Sequence, residues 1–461
     1  MRGPTDDDAF ATGVRRIREQ FEVPAGFPDA VLVAAEKAAT KGPGRGHVER
    51  TDVEFVTLDP ATSTDLDQAF AISRDGDDVM LQYAIDDVGH FVTPGDALDT
   101  EAWARGVTVY VPGEKAPLYP PVLSEDAASL LPDAPKPAVV FLVRIASDGA
   151  ATLAGAERAI IRSRAKLAYD AVRLEDLPPD FAELSDRIGR AEIARDSPRV
   201  DFPEQEIEIG DDGRWELVVR PRLLSEDQNA GMSLATNLAV ADALHAAKTG
   251  LFRVMPEPTD RSLGPLRHSA RAFGLDWPRD MNLLEFQRTL PADDPRTAAF
   301  LIVVRRASGG ASYAPYQEGT TPWHAAMAAT YAHATAPLRR LADRYVVEAA
   351  LAVANGRAVP DDVEAAFERL PQAMEDGEDR ANRVDAAVLD LAEAVLLSSR
   401  VGEAFDGVVV DEDDRGALVQ LTDPAVIARV TARKVNPGDD VRVEVLGVDL
   451  ERRSVELGRV G

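Results

Sequence analysis

The segment VTLDPATSTDLDQAF, residues 56–70, places Asp59, Asp65 and Asp67 within nine positions beside an apolar run. Asp59 follows VEFVTL and so stands at a strand end, while Asp65 and Asp67 are two apart and point the same way in an extended chain. The intervening PATST can fold back as a loop and bring Asp59 to the other two. Carboxylates this close raise one another's pKa unless a cation lies among them. Hard oxygen donors at that density suit Mg2+ or Mn2+. The competing reading is an Asp-rich turn in which Asp65 and Asp67 cap or make Asx turns. Gln68 follows them with a neutral amide oxygen in place of a fourth charge.

A second stretch, YAHATAPLRRLADRY (331–345), gathers His333, Arg339, Arg340, Asp343 and Arg344 around Pro337. Proline is favourable just inside a helix start, but arginines in a first turn oppose the helix dipole. That mismatch points to another task, such as bidentate binding of phosphate. Ion pairing with the chain's abundant acids is the alternative.

These side chains need elements to hold them. Apolar residues at three- and four-residue spacing predict a helix over 9–24, and a second is expected over 28–40. From 53 the pattern becomes short strands, at 53–59, 67–73, 79–86 and 107–112, followed by a hairpin from 137–145 into 152–163. Helices then dominate: 227–250 stopped by Gly250, 338–356 ending at Gly356, and one short and one long helix over 360–400. Residues 402–461 alternate apolar with polar and fit about five strands of a small OB-type barrel. The expected fold class is α+β: a helical segment over 1–48, a large domain with mixed sheet and surrounding helices over 49–400, and a short barrel over 401–461.

Composition bounds the function. A chain of 461 residues with 45% apolar content can bury two or three cores. The absence of cysteine excludes disulfides, thiolate nucleophiles and cysteine-based zinc sites. The polar, acidic start MRGPTDDDAF has no secretory apolar core, and runs such as AVVFLV (138–143) are too short for a bilayer. A cytoplasmic protein without membrane contact is expected. The net charge of −28 argues against a general nucleic-acid coat, but is compatible with an enzyme that grips nucleic acid in a locally basic groove.

In order along the chain, these blocks resemble the catalytic RNB domain of the ribonuclease II and ribonuclease R exoribonucleases. The family's pattern of an Asp, five residues, an Asp, one residue and Asp-Asp is met by Asp59, Asp65, Asp67 and Gln68. YAIDDVGHFVTPGDALDTEAWARGVTVYVP (83–112) is similar to a family segment with a buried Asp and a Ser-His pair, whose places Asp87 and His90 hold. LYPPVLSEDAASLLPD (118–133) and NLAVADAL (237–244), which begins with Asn237, resemble further family blocks. The arginine stretch resembles the signature Thr-Ser-Pro-Ile-Arg-Arg, with Ala336 where serine is usual. The final sixty residues look like a trimmed S1 domain. The resemblance covers roughly residues 50–461.

The resemblance implies a metal-dependent 3′-to-5′ exoribonuclease acting on single-stranded RNA and releasing 5′-mononucleotides, as a monomer. Asp59, Asp65, Asp67 and Gln68 would be the metal ligands, with Mg2+ expected and Mn2+ as an alternative. Asp59, Asp65, Asp67 and Arg339 would be catalytic. Tyr110 would stack the terminal base, and Arg340, Arg344 and Asp385 would bind substrate. His90 and His333 are read as structural hydrogen-bonding residues. Three departures stand out: a helical segment replaces tandem cold-shock domains, the barrel is short and carries 13 acidic against 8 basic residues, a net of −5, and Gln68 replaces an acid. The last implies weakened metal binding, with an inactive RNA-binding protein as the alternative reading, and an expected gain on Gln68→Asp. The first two imply that most of the grip on RNA lies outside 402–461.

Overall fold

A computed structural model describes residues 6–460 except 45, 133, 196–203, 210–214, 221, 258, 292–293, 295, 298–299, 302, 305–309, 414–415, 423–425 and 431–434. The expected early strands are present as β1 (Val48–Asp59), β2 (Gln68–Asp75) and β3 (Asp78–Asp86). A small hairpin follows, β4 (Val109–Val111) and β5 (Glu114–Ala116), and then β6 (Lys136–Ile145) and β7 (Ala151–Ala168). The mixed sheet closes on itself as a barrel in the order β1-β2-β3-β6-β7, with β1 and β7 parallel and the other pairs antiparallel.

Alternation along each strand separates two faces. Phe55, Ala69, Ala71, Ala84, Ala138, Val140, Ala159 and Ile161, drawn from all five strands, form one buried cluster. Mostly small side chains suit the lumen of so narrow a barrel. The opposite face carries Val56, Leu58, Phe70, Tyr83 and Ile85 into the main core, where helices cover it. Those helices include α2 (Asp29–Ala39), α3 (Ala97–Arg105), α4 (Leu224–Ala246), α5 (Leu341–Ala354) and α6 (Leu370–Ser398), while α1 (Asp6–Gln20) packs separately on α6.

The N-terminal helices do not form a detached cap. Val31, Ala35 and Ala38 of α2 enter the main core. Phe10, Val14 and Ile17 of α1 pack on Val384, Val388 and Leu391 of α6. Beyond α6 a second closed barrel is built from β8 (Ala404–Asp413), β9 (Gly416–Leu421), β10 (Ile427–Val430), β11 (Asp440–Asp449) and β12 (Ser454–Arg459). Its core takes in Leu397 from the end of α6. Among the described residues no helix is long and apolar enough to cross a membrane.

Candidate functional site

Strand register gathers the acids. Val56 of β1 pairs with Phe70 of β2, so the same register carried back to the strand ends sets Asp59 opposite Asp67. Gln68 pairs with Ile85 of β3, which sets Asp67 opposite Asp86, and the Asp86 N–H donates to the Asp67 carbonyl at 3.1 Å. Residues directly opposite in antiparallel strands share a face. Asp59, Asp67 and Asp86 therefore form a row across three strands at one rim of the barrel, on the face that carries Ala69 and Ala84.

Asp65 reaches this rim from the loop, as the fold-back of PATST requires. Lys166 Nζ holds that loop through the carbonyls of Ala61, at 2.7 Å, and Ser63, at 2.5 Å. Ser129 Oγ accepts from the Leu66 N–H at 2.9 Å and donates to the Thr64 carbonyl at 2.8 Å. Asp65 itself pairs with Lys115 Nζ at 2.9 Å.

Like charges facing each other across strands repel, and the rim is only partly compensated. Buried Asp67 accepts from the Leu338 N–H at 2.8 Å and from Arg339 Nε at 3.2 Å. Burial still pushes its carboxyl up to about 6 against the pull of Arg339. Burial and then Asp67 push Asp59 up to about 7, with Arg339 and Lys166 opposing. Asp86 is 1% exposed, and neither of its carboxylate oxygens has a hydrogen-bond partner among the described residues. Burial, then Asp67, Asp59 and Asp65, holds it well above the usual carboxylate range.

The arginine loop is fixed from below. Asp343, fully buried at the start of α5, accepts from the N–H groups of Thr335 at 3.0 Å and Ala336 at 2.8 Å. Asn237, in the middle of α4, accepts from the Ala334 N–H at 2.9 Å. The chain then runs beside the approach to β4: the Thr108 N–H donates to the Arg339 carbonyl at 3.0 Å, and the Leu341 N–H to the Gly106 carbonyl at 2.9 Å. Gly106 has φ +73, and a Cβ there would lie 2.6 Å from the Ala373 carbonyl of α6, so only glycine fits. This seam brings the β4–β5 hairpin to the rim. Tyr110, 48% exposed, lies opposite Lys115 in the hairpin.

Three expected site residues are placed differently. Gln68 lies on the other face of β2 from Asp67, where its amide oxygen accepts from Tyr83 Oη and its nitrogen donates to the Thr335 carbonyl at 2.7 Å. That correction has a simple cause: neighbouring residues in a strand point to opposite faces. Arg340 and Arg344 turn inward instead of facing substrate. Arg340 pairs with Asp343 at 2.9 and 2.7 Å, and buried Arg344 pairs with Asp99 of α3. Internal acids thus resolve the charge mismatch at the start of α5. Asp385 is exposed on α6, next to Val384 and near the residues that pack on β4, with no hydrogen bond or ion pair to the rim among the described residues. Buried Asp87 accepts from His47 Nε2 at 2.9 Å and Arg158 Nε at 2.7 Å, and His333 Nδ1 meets Tyr313 Oη at 2.7 Å, both structural arrangements. Asp86 and Lys115 are the site residues that motif spacing did not reveal. An acid closing the apolar strand VMLQYAID was the available signal for the first.

Among the described residues no three His, Cys, Asp or Glu side chains stand in finished metal-coordinating geometry. Lys115 and Arg339 engage Asp65 and Asp67 directly. The donor set is nevertheless all hard carboxylate oxygen, and Asp86 offers two unpartnered oxygens in the row. That chemistry fits a hard divalent cation.

A closed barrel with an acidic, arginine-faced rim, joined to a second small barrel, defines a nuclease-type fold. The chain belongs to the RNB family: the RNB domain model matches residues 48–354, and the RNase II-type exonuclease C-terminal S1 domain model matches residues 403–460. It is 25% identical over 498 residues to ribonuclease R of Aquifex aeolicus, covering 96% of this chain and 69% of that protein. It is also 25% identical over 450 residues to ribonuclease R 1 of Lactococcus lactis, covering 91% of this chain and 54% of that protein, so it spans little more than half of that relative's length. Its fold matches Mycoplasma genitalium RNase R in complex with ribose methylated single-stranded RNA, with TM-score 0.87, 20% identity, and coverage of 98% of this chain and 78% of that one.

Proposed function

We propose that the protein is a metal-dependent 3′-to-5′ exoribonuclease that hydrolyses single-stranded RNA to 5′-mononucleotides, acting as a monomer in the cytoplasm. The observation that carries this is the strand register that sets Asp59 across from Asp67, with Arg339 on Asp67 and an exposed tyrosine beside them. Membership of the RNB family, and the ribonuclease R relatives, support it.

Asp59, Asp65 and Asp67 would hold Mg2+, with Mn2+ as a substitute. When bound, the ion makes an attacking water more nucleophilic and offsets charge growing on the phosphate. Arg339 is 42% exposed at its side chain and bonds Asp67 through Nε alone, which leaves its two terminal nitrogens to meet a phosphate. Tyr110 offers an open ring for a base, and stacking tolerates any sequence, as an exonuclease requires. Lys115 ties the hairpin to Asp65 and so fixes where that ring sits.

A second reading, an RNA-binding protein with weak or no hydrolysis, has in its favour that Gln68 supplies no charge and bonds away from the rim. Uniformly labelled single-stranded RNA incubated with Mg2+ separates the two. The expected result is release of 5′-mononucleotides by the wild type. Asp67→Asn, which removes charge and little volume, should still bind RNA and cut roughly 100-fold slower or worse. Bound but intact RNA with the wild type would favour the second reading; internal fragments would refute an exonuclease.

A further inference from the structure

Position 68 lacks a carboxylate, but the rim does not lack a fourth one. Asp86 closes β3 directly across from Asp67, and its N–H bonds the Asp67 carbonyl at 3.1 Å. On its other side it pairs with Ala138 of β6, and Ala84 precedes it on the same face, so small side chains leave its carboxylate room. It is 1% exposed, and among the described residues neither oxygen has a hydrogen-bond partner. A buried carboxylate without partners is costly and demands an explanation. Among the described residues no protein cation bonds it: Arg339 is on Asp67, Lys115 is on Asp65, and Lys136, which acts on Asp86 only through space, has its Nζ bonded to the carbonyl and Oδ1 of Asp126 at 2.5 and 3.3 Å.

We infer that Asp86 is the fourth carboxylate of the rim and helps to hold its divalent cation, supplying from β3 the charge that Gln68 does not supply from β2. This rests on the reading of the rim under Proposed function. Position 68, whose side chain lies on the other face of β2, braces Tyr83 and the arginine loop instead.

The test is Mn2+ binding to the full chain by titration calorimetry, with thermal melts in EDTA and in Mn2+. Asp86→Asn keeps the shape, and Asp86→Ala matches neighbouring Ala84 and Ala138, so that one of the two folds even if the other does not. Both should bind Mn2+ roughly 10–100-fold more weakly than the wild type. Both should melt in EDTA at or above the wild-type temperature, since a buried carboxyl whose oxygens lack hydrogen-bond partners is gone, and both should lose most of the stabilisation that Mn2+ gives the wild type. Asp67→Asn serves as the reference for damage to the rim. If Asp67→Asn loses Mn2+ and both Asp86 variants keep wild-type affinity, Asp86 is no ligand and the proposed function stands. If Asp67→Asn also keeps wild-type affinity, or the wild type binds no Mn2+, the rim is not the cation site and both readings fall. Lower melting temperatures in EDTA for both Asp86 variants would mark a structural acid and overturn the assignment.

Discussion

Gln68 sits between Asp67 and Ala69, and its surroundings suit an amide better than an acid. Its nitrogen donates to the Thr335 carbonyl at 2.7 Å, and its oxygen accepts from Tyr83 Oη. Thr335 Oγ1 in turn meets Ser233 Oγ at 2.8 Å and Asn237 Nδ2 at 3.2 Å. The amide is thus the link between β2 and the loop that delivers Arg339. A carboxylate cannot donate to a carbonyl, and aspartate is too short to reach it. The gain expected from Gln68→Asp on spacing alone therefore changes sign. The substitution should leave Mn2+ affinity unimproved, because the new acid emerges on the face away from Asp67. It should also lower stability by about 1–3 kcal/mol through the unsatisfied Thr335 carbonyl and Tyr83 hydroxyl. Chemical denaturation of the two proteins alongside Mn2+ titration checks both parts, and tighter Mn2+ binding by the variant would contradict the placement of Gln68.

At the scale of elements, the strands were readable where one face alternates against the other. VEFVTLD, DQAFAIS and VMLQYAID each ran close to the observed β1, β2 and β3. Asp59 and Asp67 were readable as neighbours for the same reason, since they lie at the ends of such strands, and Asp65 follows from the loop that joins them. Barrel closure was not, because the parallel pairing of β1 with β7 joins residues a hundred positions apart and depends on bulges between Arg50 and Val56. Asp86 escaped because its meaning lies in register with Asp67, not in spacing along β3. Arg344 was misplaced because its partner, Asp99, is known only once α5 lies against α3, whereas the partner of Arg340, Asp343, stands three residues on and matches the ion-pairing alternative. The long helix over 360–400 was legible as α6, but its last turns hold a buried acid that periodicity does not interpret. Glu393, 7% exposed, accepts from the Ile427 N–H of β10 at 3.2 Å, and burial followed by that bond and Asp390 leaves its carboxyl at about 8. A folded pKa above the unfolded value means that the native state holds the proton longer. Stability from this group is full below the ordinary glutamate range and is lost as pH rises through about 8. Glu393→Gln, which cannot ionise, should melt near the wild type at pH 5 and increasingly above it toward pH 9. Parallel melting curves for the two proteins across that range would show that Glu393 does not weaken the joint between α6 and the second barrel.

For the whole molecule, the question is whether the second barrel is an appendage or part of the body. With a net charge of −5 it is a weak electrostatic clamp on RNA, and its removal was expected to spare most binding. The packing makes removal a different experiment. Leu397 of α6 lies within the barrel core. Val408 and Val410 of β8 share a second core with Leu266, Phe273, Trp277, Phe286 and Phe300 from the main body. Arg296 pairs with Asp440 at 3.0 Å across the same joint. Gly438 has φ +92, and a Cβ there would lie 1.9 Å from the Ala272 carbonyl. Stripping the barrel would bare several large side chains, each worth about 1.5–3 kcal/mol in burial. A chain ending at residue 401 should therefore aggregate, or melt roughly 5–10 °C or more below the wild type, so that any loss of RNA binding would report folding and not contact. Gly438→Ala separates the two effects, since it forces the seam apart without removing any charged or aromatic side chain. It should melt below the wild type yet bind a 20-mer RNA within a few-fold at temperatures well below its transition. A truncated chain that stays monodisperse with the wild-type melting temperature would show the barrel to be an appendage after all, and would return its contribution to RNA binding to a question of surface charge.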